Sequence, residues 1–174
     1  PFAGAEKTDK KGLSRSLKSV RAVLGFLPSQ PARAAKKDKE DNIMVRIAHL
    51  ADVHLGSAFA WTGAEDKARR FRRQQLDGLN FCLQTAREKD CAAVLIAGDL
   101  FDSAFAERES VARFIHLAGQ YASLPILIAA GNHDPLSEGG VYLRGNLPEN
   151  VHVFPAAGDY VEIGDKLRVH GVSA

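Results

Sequence analysis

Cysteine is scarce in this chain: Cys82 and Cys91 are the only two in 174 residues. Their spacing fits neither a disulfide framework nor a thiolate metal site, so they read as two buried thiols in a reducing, cytoplasmic compartment. No apolar run approaches 18 residues, which excludes a transmembrane helix. Excess charge is also lacking. The formal net charge is +2, and residues 1–43 hold ten Lys or Arg against five Asp or Glu, leaving 13 basic and 16 acidic side chains in the remainder. A slightly acidic body exerts no global pull on polyanions, so any nucleic-acid partner has to be drawn by local features. No internal repeat shows at a period of 20 to 50 residues. What is present is an ordinary apolar fraction of 45%. A chain of this length buries roughly 70% of its unfolded surface and folds as one domain without staples.

Methionine occurs once, as Met44, directly before the first strand-like run, Val45 to Leu50. Residues 44–174 are therefore taken as the domain. Upstream, Leu13, Leu17, Val20, Leu24 and Leu27 recur at helical spacing among Arg15, Lys18 and Arg21, and residues 28–42 are a charged linker without apolar period. Residues 1–43 form a basic amphipathic segment and flexible linker, set aside from the fold. The segment has the form of a targeting, surface-binding or partner-binding helix, although Glu6 and Asp9 are poor fits to a transit peptide.

From Met44 onward, short apolar runs alternate with amphipathic stretches. Strands are expected at Val45 to Leu50, Ala92 to Ala97, Ile126 to Ala130, Val151 to Phe154, Tyr160 to Ile163 and Leu167 to His170. Helices are expected at about 66–89, where Leu79, Cys82, Leu83 and Ala86 fall at i, i+3, i+4 and i+7, and at about 107–121. This alternation predicts an α/β fold, and the continuous apolar strands predict a mostly parallel sheet covered by helices on both faces.

Each of the first three strands runs into a cluster of hard metal-ligand side chains: Asp52-Val53-His54, Gly98-Asp99-Leu100-Phe101-Asp102, and Gly131-Asn132-His133-Asp134. The carboxyl ends of neighbouring parallel strands meet in one crevice, which gathers these loops. In extended backbone Asp52 and His54 would project to the same side and share one ion. Asp99 is the natural bridging carboxylate, Asn132 offers an amide oxygen, and the glycines before Asp99 and Asn132 permit sharp turns and close approach. His133 points elsewhere, toward substrate. Carboxylate, amide and imidazole without thiolate suit Mn²⁺, Fe or Zn²⁺ in an open catalytic site. Two such ions about 3.5–4 Å apart would clamp an in-line displacement at phosphorus. Taken singly, each cluster has a plain structural reading as a turn or helix start. Three of them at successive strand ends do not.

These motifs, with the flanking text His49-Leu50-Ala51-Asp52-Val53-His54-Leu55-Gly56 and Val94 to Asp102, resemble the calcineurin-like metallophosphoesterase superfamily, and within it the SbcD-type DNA repair exonucleases. The resemblance covers residues 44–174. It implies layered sheets flanked by helices, with Asp52, His54 and Asp99 holding a first divalent ion and Asp99 and Asn132 beginning a second; Mn²⁺ is expected first, with Fe or Zn²⁺ as alternatives. It makes His133 the transition-state donor and Asp134 the group that orients its ring, while Asp102, part of the motif, is expected to anchor its loop or the following segment rather than to ligate metal. DNA as substrate, an SbcC-type ATPase partner and a homodimer are implied in the same way. The later His and Gly-His-x-His motifs that complete the second ion's shell do not occur before Ala174, so the core is expected to be cut off part-way, and neither His152 nor His170 stands in that context.

Other candidates stand nearby. Arg69, Arg70, Arg72 and Arg73 would hold a DNA backbone or form a solvated helix face. Phe59 and Trp61 would wall the site or pack locally, while His49 and His116 read as structural. The competing functions are another metallophosphoesterase, such as a phosphatase or nucleotide phosphodiesterase, and a catalytically incomplete fragment that binds one ion.

Overall fold

The computed structural model describes residues 44–165 and 167–174. The amphipathic stretch and linker expected within residues 1–43 lie outside them. Strands β1 (Ile47–Leu50), β2 (Ala93–Ala97), β3 (Ile126–Ala129) and β4 (Val151–Val153) form one sheet in the order β1-β2-β3-β4. All three pairings are parallel, with Leu50 opposite Ile96 and Ile96 opposite Ile128. Helices α1 (Glu65–Glu88), α2 (Arg108–Gly119) and the short α3 (Val141–Arg144) make the crossovers. The α/β class and the parallel sheet flanked by helices agree with the sequence. An antiparallel hairpin of β5 (Asp159–Ile163) and β6 (Leu167–Gly171) follows.

The helices do not cover both faces. Ala48, Leu50, Val94, Ile96, Ile126 and Ile128 point to one side, where Leu79, Leu83 and Ala86 of α1 and Val111, Phe114 and Ala118 of α2 bury them in a single core. Of the residues that alternate with these, Ile47, His49 and Leu95 are half-buried, while Ala93 and Leu127 are buried outside that core. The reason is topological. Right-handed crossovers between strands added always on the same side return each helix to the same face. Burying a side chain such as Leu83 or Phe114 contributes about 1.5–3 kcal/mol, so this one face holds most of the sheet's stabilisation.

The sequence pattern gave no sign of α3 or of the 3-10 turn at Ala60–Thr62. Each is too short to display a period. Cys82 and Cys91 are buried free thiols, and burial raises the pKa of both, which keeps them unreactive. After β6 the chain returns to the sheet, where Ala174 N–H donates to Ala130 O at 3.0 Å and Ser173 Oγ accepts from Ala130 N–H at 2.9 Å. No helix among the described residues is long and apolar enough to cross a membrane.

Candidate metal centre

The first two polar loops continue the parallel ladder past the end of the sheet. His54 N–H donates to Asp99 O at 2.9 Å, Leu55 N–H to Leu100 O at 2.8 Å, and Asp102 N–H to Leu55 O at 3.1 Å, with a further bridge between Leu55 and Phe101. Between the sheet and that bridge the backbone turns left-handed at Asp52 (φ 53°), His54 (φ 52°) and Asp99 (φ 52°). The expected extended alternation of Asp52 and His54 is therefore wrong. They converge because β1 ends at Leu50 and two left-handed residues swing their side chains inward. Such conformations cost on the order of 1 kcal/mol each for residues with a Cβ and concentrate at functional sites.

Glycines meet the same demand in two ways. Gly98, at φ 78°, takes a conformation in which a side chain would be strained. Gly131 serves close approach: a Cβ there would lie 2.6 Å from the Asp99 amide nitrogen and against its carboxylate. The third loop thus presses directly on Asp99, and His133 N–H donates to Asp99 Oδ1 at 3.0 Å. Asp99 is only 8% exposed, whereas Asp52, Asn132 and His133 face solvent.

Asp52, His54 and Asp99 each offer a ligand atom, all within 4.8 Å of one another. His54 Nδ1 donates to Asp102 Oδ1 at 3.0 Å, and because a carboxylate only accepts, this contact places the ring proton on Nδ1 and leaves Nε2 with its lone pair, 3.9 Å from Asp99 Oδ2. That donor set fits one divalent ion of the Mn²⁺, Fe or Zn²⁺ kind. Asn132 stands exposed between Gly131 and His133, whose N–H donates to the Asp99 carboxylate. His152 and His170 join no such group among the described residues.

The role expected of Asp134 needs correction. Asp134 is 0% exposed and makes no contact with the His133 ring. Its Oδ1 accepts from Gly131 N–H at 2.8 Å, while Oδ2 accepts from Phe101 N–H at 2.9 Å and from the Tyr142 hydroxyl. It ties the second and third loops and α3 together from beneath. The His133 ring is oriented instead by Asp102, whose carbonyl accepts from His133 Nδ1 at 3.3 Å, and it packs edge-on to His54 with ring centroids 4.8 Å apart. Asp102 therefore serves both histidines, through its carboxylate and its carbonyl. The resemblance implied a pairing of Asp134 with the His133 ring, but the Asp134 carboxylate is taken up by Gly131, Phe101 and Tyr142.

Sequence reasoning missed two further residues. Gln75, 2% exposed on α1, donates through Nε2 to Val53 O at 3.2 Å and His54 O at 2.8 Å. Its position four residues before Leu79 puts an amide on the apolar stripe, which was the available signal. Tyr142 lies on α3, where no pattern marked it. Burial first, and then the Asp134 carboxylate beside it, raise its pKa well above the usual tyrosine range.

The arginine cluster divides by helical phase. Arg69, Arg72 and Arg113 line a cavity of about 350 Å³ between α1 and α2, facing Glu65, Glu107 and Glu109. Arg72 also pairs with Glu65. Arg70 and Arg73 are exposed on another face, with Arg73 4.0 Å from Asp77. Phe59 is buried against Phe71, with centroids 5.3 Å apart, so packing is its role, while Trp61 remains exposed beside the same ring.

A parallel sheet whose strand ends bring Asp52, His54 and Asp99 within 4.8 Å of one another is an arrangement suited to a metal-dependent hydrolase. The profile of the calcineurin-like phosphoesterases matches residues 45–173, and the chain belongs to that family of hydrolases. The chain is also similar to the DNA double-strand break repair protein Mre11 of Aeropyrum pernix, at 36% identity over 93 residues. That match covers 52% of this chain and 21% of the relative, so the chain corresponds to about a fifth of that protein's length. Among solved structures, the nuclease MPE of Pseudomonas putida aligns at 22% identity with a TM-score of 0.40, covering 62% of this chain and 46% of that one.

Proposed function

We propose that this chain carries the first part of a two-metal nuclease centre of the SbcD type, hydrolysing phosphodiester bonds of DNA. The observation that carries the reading is the meeting of Asp52, His54 and Asp99 within 4.8 Å, with the third loop hydrogen-bonded to the Asp99 carboxylate. The partial likeness to a DNA repair protein favours DNA over other phosphoesters.

In this reading Asp52, His54 and Asp99 hold the first ion and Asp99 with Asn132 begins the second, with Mn²⁺ the proposed metal. Divalent ions bound there supply Lewis acidity toward the phosphoryl oxygens and lower the pKa of a water molecule. The chain's own groups do the rest. Asp102 fixes the His54 tautomer. His133, already giving its Nδ1 proton to the Asp102 carbonyl, donates from Nε2 only when the ring carries both protons; in that form it stabilises charge on the phosphate or protonates the leaving sugar oxygen. Arg69 and Arg72, lining the cavity beside Leu55, are the arginines best placed to hold a backbone phosphate, with Arg70 and Arg73 as more peripheral contacts. An SbcC-type ATPase and a second copy of the chain are the partners this reading carries with it.

Calorimetry with Mn²⁺, alongside hydrolysis of a linear duplex and of p-nitrophenyl phosphate, tests the proposal. Two ions with duplex cleavage support it. Hydrolysis of the monoester alone would move the assignment to a phosphatase, and one weak ion without turnover would make the chain an incomplete piece of a nuclease. His133→Ala should keep metal and lose turnover by about 10²–10⁴-fold, whereas Asp99→Ala should lose both; equal metal loss in the two variants would contradict the division of roles.

A further inference from the structure

Gln75 stands out among the buried polar groups. Its side chain is 2% exposed in the middle of α1, and both observed bonds leave from the same nitrogen, to the consecutive carbonyls of Val53 and His54. Its Oε1 is buried with no hydrogen-bond partner among the described residues. A leucine or methionine would fill this position against Leu79 without leaving a buried acceptor unpaired. Packing alone therefore gives no reason for an amide here, and the donor does.

The two carbonyls belong to the segment in which Asp52 and His54 hold left-handed backbone. His54 donates its own N–H to Asp99 O, so the peptide groups on either side of its α-carbon are fixed from opposite directions, by the second loop and by α1. The position of His54 Nε2 relative to Asp52 and Asp99 follows from that clamp.

We infer that Gln75 is a positioning residue for the metal centre, holding the Val53 and His54 peptides so that Asp52 and His54 meet Asp99 in ligand geometry. This inference rests on the metal-centre reading above. The amide is held at some cost in core complementarity, which is the pattern expected of a group kept for site geometry. Gln75→Met keeps length and apolar packing while removing the donor; Gln75→Glu keeps shape but sets a carboxylate against two carbonyl oxygens.

The experiment measures Mn²⁺ affinity by calorimetry, thermal unfolding, and amide hydrogen exchange in metal-free protein, for the full chain and both variants. The expected result is a melting temperature for Gln75→Met within a few degrees of wild type, Mn²⁺ binding weakened at least tenfold, and faster exchange at the His54 and Leu55 amides; Gln75→Glu should bind more weakly still. A Gln75→Met variant that binds Mn²⁺ like wild type, or that leaves exchange at His54 and Leu55 unchanged, overturns the inference. So does a large drop in melting temperature with unaltered affinity, which would make the residue merely structural. Failure of wild type itself to bind Mn²⁺ would sink the metal reading instead, and the exchange rates would still decide whether Gln75 holds the loop.

Discussion

The Tyr142 hydroxyl donates to Asp134 Oδ2 at 2.5 Å, on a carboxylate fully withdrawn from solvent that also accepts the amides of Phe101 and Gly131. One buried anion thus joins the second loop, the third loop and α3. Removing it by Asp134→Ala leaves three donors unpaired in the interior, at roughly 1–3 kcal/mol for each group. The variant should lose at least about 3 kcal/mol in urea unfolding. Tyr142→Phe, which removes a single hydroxyl and keeps the ring against Phe101, should lose only about 1 kcal/mol. Equal losses would show that the clamp does not depend on the carboxylate.

The same pair predicts alkaline behaviour. In the unfolded chain a tyrosine ionises near pH 10, whereas in the folded protein burial and the Asp134 charge raise the Tyr142 pKa. The folded state therefore keeps its proton where the unfolded state has lost it. The stabilisation is complete below about pH 10 and is lost as pH rises beyond that value. Unfolding free energy followed from pH 8 to 11 should decline more steeply in wild type than in Tyr142→Phe, and parallel curves would exclude Tyr142 as the source.

Asp102→Ala should separate two functions held by one residue. Its carboxylate orients His54, while its carbonyl, which survives the substitution, orients His133. Loss of an outer-shell carboxylate of this kind typically weakens metal affinity 10–100-fold. Calorimetry should find that loss, with the His133 ring resonances in NMR spectra little changed. Native affinity in the variant would mean that His54 needs no partner at Nδ1.

Gly131→Ala and Gly98→Ala should differ in kind. The added methyl at Gly131 meets the Asp99 amide and carboxylate, so Asp99 must move and metal binding should be lost. At Gly98 the nearest atom is Gly131 Cα at 3.7 Å, and only the left-handed backbone resists, at a cost of about 1–2 kcal/mol. A Gly131→Ala protein that binds Mn²⁺ normally would show that the approach of the third loop to Asp99 is not needed.

Much of this was legible before any coordinates. The 3.6-residue period of α1 placed it within one residue at each end, because a helix of 24 residues repeats its apolar face many times. The strands β1 to β4 were found for a related reason, as apolar runs between polar loops, although the helices pack on one face and not on both. The order in which strands join the sheet carries no mark in the runs themselves. Asp52, His54, Asp99, Asn132 and His133 were found as ligand types at strand ends, a local property of the chain.

Relations between loops were not local, and there the reading failed. Asp134 was paired with its neighbour His133, yet its carboxylate turns inward to the amides of Phe101 and Gly131 and to the Tyr142 hydroxyl, the first of them 33 residues away. Asp102 was expected to anchor its loop or the following segment, and the partner through which it does so, His54, lies 48 residues away. Residue type and spacing by themselves determined the α/β class and set three loops of metal-ligand residue types at strand ends, because side-chain chemistry and backbone period are written along the chain. Only the tertiary structure decided which carboxylate supports which imidazole, since a hydrogen bond between loops depends on how left-handed turns at Asp52, His54 and Asp99 aim side chains that the sequence merely lists in order.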